Sequence, residues 1–470
     1  MSTSGRRRNA AAKVAWAAVL TAAATGCRDI VAPEGASLNI QSVAVATDSG
    51  SIFRSLIIDL SNPAGIQVDY WTPDAPHLRV VETGMADGHS VFLPGLRAGR
   101  TYDYEIRPFL RGFPRDRVYR GQLVTDPLPD DLAAVRFAVE GTPAHHYTML
   151  ELRGSPFSGY VILDRDGQVV WFRRGIAESF ARRANGDLVL LEAASTLTEV
   201  RPDLTVVARL PAVDTMSMHH DVIATPDNTL LFLTHDLLVE NGVSWLGDAV
   251  WEWSPETGVV ARRWRAQDFL SPASDLGPKS IGGDWLHANS LSLGPRGNLL
   301  VSLPALNQIL SIAPGYRTLE WRLGGPNATI VPDGASEFWF EHTAQEIAPN
   351  RILMFDNGRD RPAGKYSRGL ELEIDPSAGT ARVAWSFTPA PAIYAPIIGS
   401  ARRLSGGVTV VDFGTPAGVL ESSGPIAAYD VAQDGTVTWS LHISGSALLN
   451  YRATPLDAIA GERVLPDGGR

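Results

Sequence analysis

The chain has 470 residues, a formal net charge of −10 and a single cysteine, with 44% apolar and 20% charged residues. That length and balance suit a globular protein of two domains with a large core. The acidic surplus argues against nucleic acid or anionic lipid as the main partner, since both demand concentrated Lys and Arg, and a lone thiol leaves no disulfide within the monomer.

Residues 1–27 read as an export signal. Arg6, Arg7 and Arg8 form a basic start, residues 10–24 are mostly small and apolar, and Ala24-Thr25-Gly26-Cys27 resembles a lipoprotein cleavage box. Cys27 is then the lipid acceptor, with a plain secretory signal as the alternative. The expected location is periplasmic or cell-surface, touching membrane only through a lipid on Cys27. Residues 28–36 are a polar tether. Residues 37–126 alternate apolar and polar in short runs such as SLNIQSVAV, IQVDYW and TYDYEIRPF, the period of half-buried strands. The stretch Leu96-Arg-Ala-Gly-Arg-Thr-Tyr102 resembles the corner of fibronectin type III sandwiches, where a Tyr hydroxyl bonds back to the turn backbone. This domain holds no catalytic grouping, so its expected role is spacer, propeller lid or dimer contact, and a homodimer is an open option. Residues 127–131 are a stiff linker rich in Pro and Asp.

From residue 132 one phrase repeats: an apolar strand, a polar turn, and a strand closing on an aromatic or aliphatic residue. It ends near Trp171, Val207, Trp264, Trp321, Trp385 and Trp439. Most returns come after roughly 55 residues, the spacing of propeller blades. Each is paired with a second hairpin, as in ATPDNTLLFLTHD or SLGPRGNLLVSLP. The expected fold is all-β: a six-bladed β-propeller over residues 132–455, preceded by a fibronectin type III-like β-sandwich. Five or seven blades stay open, because residues 137–154 and the C-terminal end can close the ring by sharing strands. Residues 456–470 read as a flexible tail.

Three repeats carry a histidine just upstream of the second hairpin. His220 and His342 each lie eight residues before the Asn of the turn, and His287 lies ten before its Gly. Equivalent positions of successive blades surround one axis, so these three are expected to meet at a one-sided site. His219 and His235 carry the plainer expectation of buried histidines bonded to a neighbouring carbonyl. Asp356-Asn357-Gly358 is followed by Arg359, Arg361, Lys365 and Arg368, a cationic stretch suited to an anion. The Trp residues closing the phrases read as core, whereas Trp285, Phe338, Trp339 and Phe340 flank the histidines and can wall an aromatic ligand.

At these residues the chain resembles the bacterial arylsulfotransferase family. The resemblance rests on Asp284-Trp-Leu-His-Ala-Asn-Ser290, Gly297-Asn-Leu-Leu-Val-Ser302, Asn307-Gln-Ile309 and Trp321-Arg-Leu-Gly-Gly325. It continues in His342 before an apolar strand, Phe355-Asp-Asn-Gly358, and Ser367-Arg368 with Glu371. It covers residues 135–445 and implies nucleotide-independent sulfuryl transfer from an aryl sulfate to a phenol through a sulfohistidine. Carried over by position, His342 is the nucleophile, with His287 and His220 as the accompanying histidines. Arg368, Arg359, Asn289, Asn357 and Trp285 are the substrate-binding candidates. No cofactor and no metal are implied; the partners are small aryl sulfates and phenols. Two departures stand out. Pro304 occupies the place of an Arg that contacts sulfate in the family, so Arg359, Arg368 or Lys365 must supply that charge, or transfer is weak or lost. Glu341 stands where Gln is frequent, and if close to His342 it would raise that histidine's pKa and repel sulfate. Two other classes of function remain beside transfer. One is a propeller that binds a ligand or partner without chemistry. The other is a hydrolase or lyase whose metal is held by His220, His287 and His342 with Asp221, Asp284 or Asp356.

Overall fold

The computed structural model describes residues 38–47, 52–110, 118–192, 196–210, 217–277, 280, 283–445 and 447–465. Residues 1–36, expected to hold an export signal with Cys27 and a tether, lie outside these. Among the described residues, no helix is long and apolar enough to cross a membrane.

Six antiparallel sheets, each built on four strands, form the blades. Blade 2 runs Ala177–Arg182, Leu188–Glu192, Thr196–Val200 and Val206–Leu210. Blade 3 runs Met218–Ala224, Leu230–Glu240, Val243–Trp253 and Val260–Arg265. Blade 4 is Ser290–Leu293, Leu299–Leu303, Gln308–Ile312 and Leu319–Leu323, and blade 5 is His342–Ala348, Arg351–Asp356, Arg368–Asp375 and Thr380–Phe387. Blade 6 is Ser400–Arg403, Thr409–Phe413, Ile426–Val431 and Val437–Ser444, with Arg136–Gly141 added as an outer fifth strand. Blade 1 takes Tyr147–Ser155, Gly159–Asp164 and Val169–Arg174 from the start of the propeller, and its innermost strand, Ala447–Leu456, from the end of the chain. The inner strands pack in order around the ring, and Ala447–Leu456 returns to Ala177–Arg182. Strand sharing therefore closes a six-bladed β-propeller and settles the open count.

The repeated phrase has a structural cause. In five blades the fourth strand carries one extra residue just before its Trp. Val169 and Trp171, for example, pair with the adjacent Leu163 and Ile162, and Arg262 and Trp264 with the adjacent Trp251 and Val250. The same step precedes Trp321, Trp385 and Trp439. Such a bulge twists an edge strand locally. Here it coincides with indoles turned inward: Trp171, Trp264, Trp321 and Trp439 are buried and Trp385 is half-buried. Removing a buried indole costs about 3–5 kcal/mol. In blade 2 the equivalent of Trp is Ala208, not Val207: Val207 is the bulged residue and is 47% exposed.

The N-terminal region differs from expectation. Its strands Ile40–Thr47, Arg54–Trp71, Leu78–Phe92, Thr101–Phe109 and Tyr119–Val124 bond as one sheet, not as two separate sheets. The 18-residue strand Arg54–Trp71 is the reason. Its first half pairs with Ile40–Thr47 and its second with Thr101–Phe109, with irregular pairing between Asp59 and Ile66. The corner does form, for Arg97 N–H donates to the Tyr102 hydroxyl at 2.8 Å. This sheet packs on blade 1: the Phe53 ring lies 5.9 Å from Phe172, and Arg97 donates to Asp164 at 2.6 Å. The chain beyond residue 455 is not a loose tail as far as Leu465. Ile459 is buried, and Arg463–Val464 adds a sixth strand by pairing with Leu78 and Arg79.

Candidate functional site

The three histidines converge. The rings of His220 and His287 are 4.8 Å apart at 71°, His287 and Phe340 6.2 Å, Phe340 and His342 5.9 Å, His342 and Tyr451 6.3 Å, and Tyr451 and His220 6.1 Å. Five rings thus form a closed circuit at one end of the inner strands, contributed by blades 3, 4, 5 and 1. Further along the same strands is a cavity of about 300 Å³ lined in part by Asp221, Ser290, Thr343, Arg402 and Arg452.

The backbone presents these side chains through bulges. His219 pairs with Leu233 and Val222 with Phe232, which leaves His220 and Asp221 as extra residues. In blade 5 the same irregularity falls between His342 and Gln345, and in the closing strand between Asn450 and Ala453, freeing Tyr451 and Arg452. His220, His287 and Thr343 have φ of 56°, 57° and 52°. Left-handed backbone at non-glycine residues costs on the order of 1–3 kcal/mol each and gathers at functional sites. At the centre, Arg452 donates to Asp221 at 2.6 Å, to Ser179 Oγ at 3.1 Å and to the Asn289 carbonyl at 3.1 Å, tying blades 1 to 4 together.

His342 has a defined tautomer. Its Nδ1 is 2.8 Å from Asn357 Oδ1. The Asn357 amide nitrogen donates to the Ala395 and Ile398 carbonyls at 2.7 and 2.8 Å, which fixes Oδ1 as the end facing His342. Nδ1 must therefore carry the proton, and Nε2 keeps its lone pair. Burial pulls the His342 pKa down to about 3, against the opposing Asn357 hydrogen bond, so the ring is neutral at physiological pH. His220 is also held well below the usual imidazole range, by burial first and then by the neighbouring imidazoles. His287 differs. Burial depresses it, but the Asp284 carboxylate, 2.6 Å from Nδ1, and the Asp248 charge outweigh that and raise its pKa. The site pairs a neutral imidazole with one that readily takes a proton.

Other residues fall where the sequence did not place them. Trp285 is not a ligand wall: it is fully buried in the core and its indole N–H donates to the Asp275 carbonyl at 2.6 Å. Arg368 is not free for an anion, since it donates to Asp356 at 2.8 Å and to the Glu337 carbonyl at 2.7 Å; Arg361 also pairs with Asp356. Glu371 pairs with Arg351 and Arg403, not with Arg368. Lys365 is bridged to Glu421 at the surface. Arg359 remains, half-buried and 4.8 Å from the Phe340 ring centre, and among the described residues no carboxylate pairs with it. Asn289 braces the loop before His342 by donating to the Glu341 carbonyl at 2.7 Å, and its Oδ1 has no protein partner. Asn357 orients His342 and has no amide hydrogen left for a ligand.

Glu341 neither charges His342 nor faces it. Its carboxyl is fully buried and accepts from Ser302 Oγ at 3.1 Å, and burial pushes its pKa up to about 8. It is largely neutral near pH 7 and adds little repulsion to an anion. Pro304 opens the turn that carries Asn307, whose Oδ1 accepts from the Phe340 N–H at 2.8 Å and steadies that ring. Tyr451, Arg452 and Arg153 were missed in the sequence. The Arg153 guanidinium lies 4.6 Å from the Tyr451 ring centre. The available signal was the polar run Asn450-Tyr451-Arg452 inside a strand otherwise suited to a core.

Fold and site together define a class: a six-bladed propeller with a histidine cluster at one end of its inner strands. Within that class, the arylsulfotransferase (ASST) family model matches residues 139–445, and the chain belongs to the arylsulfotransferase family. Aryl sulfotransferase activity is the general function that goes with this membership. Comparison with curated proteins finds no match by sequence. Among solved structures, a Bacteroides caccae protein of unknown function is 13% identical with a TM-score of 0.45, covering 67% of this chain and 99% of its own. A Lactobacillus plantarum protein is 13% identical with a TM-score of 0.38, covering 64% and 82%. Catalytically inactive virginiamycin B lyase from Staphylococcus aureus is 9% identical with a TM-score of 0.35, covering 66% and 99%.

Proposed function

We propose that the protein moves a sulfuryl group from an aryl sulfate to a phenol by way of a sulfonated His342. The observation that carries this reading is the Asn357 contact, which leaves an unprotonated Nε2 on a neutral ring. In the first half-reaction Nε2 forms a bond to sulfur, the S–O(aryl) bond breaks, and the departing phenolate takes a proton from protonated His287. In the second, an acceptor phenol gives its proton to His287, its oxygen bonds sulfur, and the N–S bond breaks. Asp284 supports the charged form of His287 through both steps.

The transferring group carries spread negative charge, which fixed cations stabilise. Arg359 over Phe340 and Arg153 over Tyr451 are the cations on the two sides of the ring circuit that fit this task in place of the absent family Arg. Phe340 and Tyr451 suit an aryl group. His220 accompanies the reaction as a neutral hydrogen-bonding group. Export through residues 1–27, a lipid on Cys27 and a periplasmic or cell-surface location belong to the same proposal, as does the option of a homodimer.

The reaction-level test is release of 4-nitrophenol from 4-nitrophenyl sulfate with and without added phenol. Release that rises steeply with phenol and vanishes in His342→Ala is the expected result. Release indifferent to phenol would indicate hydrolysis, and release retained by His342→Ala would refute the nucleophile.

A further inference from the structure

Blade 3 holds a second group of polar side chains beside the ring circuit, of which the chemistry above uses only the charge of Asp248 near His287. His219 is on its inner strand, His235 on the second and Asp248 on the third. His235 and Asp248 are direct cross-strand partners. The two imidazoles stack at 4.0 Å and 15°. Asp248 is 2% exposed, and its Oδ2 accepts the Ala288 N–H at 2.9 Å, so Oδ1 is left for the histidines. That oxygen lies 3.1 Å from His219 Nε2 and 3.9 Å from His235 Nδ1. Both nitrogens are buried, and neither makes an aligned hydrogen bond; their contacts with Asp248 are at ion-pair distance only. His219 as a whole is 6% exposed.

Two buried imidazole nitrogens that make no aligned hydrogen bond, beside a buried carboxylate oxygen, are a costly arrangement without something between them. The three donor atoms lie within 4.8 Å of one another. Bonds of about 2.0–2.2 Å to a tetrahedral zinc ion would need donors spaced roughly 3.3–3.5 Å apart. Imidazole and carboxylate suit a first-row divalent cation better than magnesium or calcium, which prefer all-oxygen shells. We propose that His219 Nε2, His235 Nδ1 and Asp248 Oδ1 bind one zinc-like divalent cation. The histidines expected to be plain core residues acquire a task, and the site is distinct from any metal held by His220, His287 and His342.

The cation has a consequence for the neighbouring site. His219 Nδ1 is 2.8 Å from His220 Nδ1. A metal on His219 Nε2 keeps the His219 proton on Nδ1, from which it is donated to His220 Nδ1. The His220 proton is thereby placed on Nε2. The cation is a positioning element for the His220 tautomer and makes no bond to the transferred sulfuryl group.

The test uses the untagged full-length chain, stripped with a chelator and dialysed. Metal content is measured after exposure to Zn²⁺, and Co²⁺ is used as the visible probe. One Zn²⁺ per chain is expected, with a Co²⁺ d–d absorption displaced by Zn²⁺ and unaffected by Mg²⁺. His235→Ala removes a half-buried ligand at little risk to the core and is expected to weaken Zn²⁺ binding at least tenfold, while His342→Ala leaves it unchanged. Substoichiometric zinc on the wild-type chain overturns the proposal without any variant, as does equal affinity in folded His235→Ala. None of these outcomes depends on whether the protein transfers sulfuryl groups.

Discussion

Asn357 has one demand placed on it by His342: to accept the Nδ1 proton. Asn357→Ala abolishes that acceptor, lets the imidazole populate both tautomers and frees its rotation. Loss of such a hydrogen bond costs about 0.5–1.5 kcal/mol, or roughly 2–10-fold in activity, and it is expected in kcat with KM little changed. An unchanged kcat in steady-state kinetics would remove the tautomer from the account. Asp284 acts on the partner imidazole. His287 is raised because the carboxylate's hydrogen bond and charge outweigh burial. In the proposed reaction, the half-reaction that protonates the leaving phenolate must fail as pH rises through the His287 pKa, whereas His342 contributes a limb only near pH 3, far below. Asp284→Asn withdraws the raising influence, so the alkaline limb of nitrophenol release should move to lower pH. A limb that stays in place would show that another group donates the proton. At this scale the sequence was partly legible. His220, His287 and His342 were found by register, because the same strand position recurs in each blade. The roles of Arg368 and Trp285 were not, because sequence distance gives no account of Asp356 or the Asp275 carbonyl, which claim them.

Strands and their junctions explain the repeat itself. The phrase ending in Trp was visible because the indole is large and rare, while the bulged residue before it, which differs from blade to blade, left no common signal. Blade 2 shows the consequence. Val207 reads as the closing residue, yet the register gives that place to Ala208. Between blades 4 and 5, Glu341 points at Ser302 and stays protonated up to about pH 8, whereas an exposed Glu ionises near 4.5. A carboxyl whose folded pKa is raised contributes nothing adverse below its unfolded pKa. Stability then falls as the unfolded chain alone ionises, and levels off above the folded value. The window is pH 4.5 to 8, at about 1.4 kcal/mol per unit, which gives at most about 4–5 kcal/mol. Thermal unfolding of Glu341→Gln should therefore lose less Tm between pH 5 and pH 8 than the wild type does. Glu151, raised to about 7 by burial, keeps a residual slope in the variant. Identical slopes would mean that Glu341 is ionised in the fold.

The propeller is a ring closed by strands from its two ends. The site depends on that closure, since Tyr451 and Arg452 arrive only with the last strand of the propeller. Blade number was legible from spacing, and closure by strands shared between residues 137–154 and the C-terminal end was an open option, but the register of the closing strand was not legible. Its partners lie some 300 residues away in sequence, as the bond from Glu151 N–H to Asn450 Oδ1 illustrates, and no local period reports a pairing of that range. The N-terminal strands were equally legible as strands but not as a sheet, because one 18-residue strand serves two neighbours along its length. The most direct test of the account is a covalent one. The full-length chain is mixed with 4-nitrophenyl sulfate in the absence of acceptor, quenched, and analysed by intact and peptide mass spectrometry. The account predicts a burst of one nitrophenol per chain and the added mass of one SO₃ group on the peptide containing His342, lost on adding phenol and absent in His342→Ala. An adduct on another residue, or phenol-dependent transfer with no adduct at any time, would contradict it.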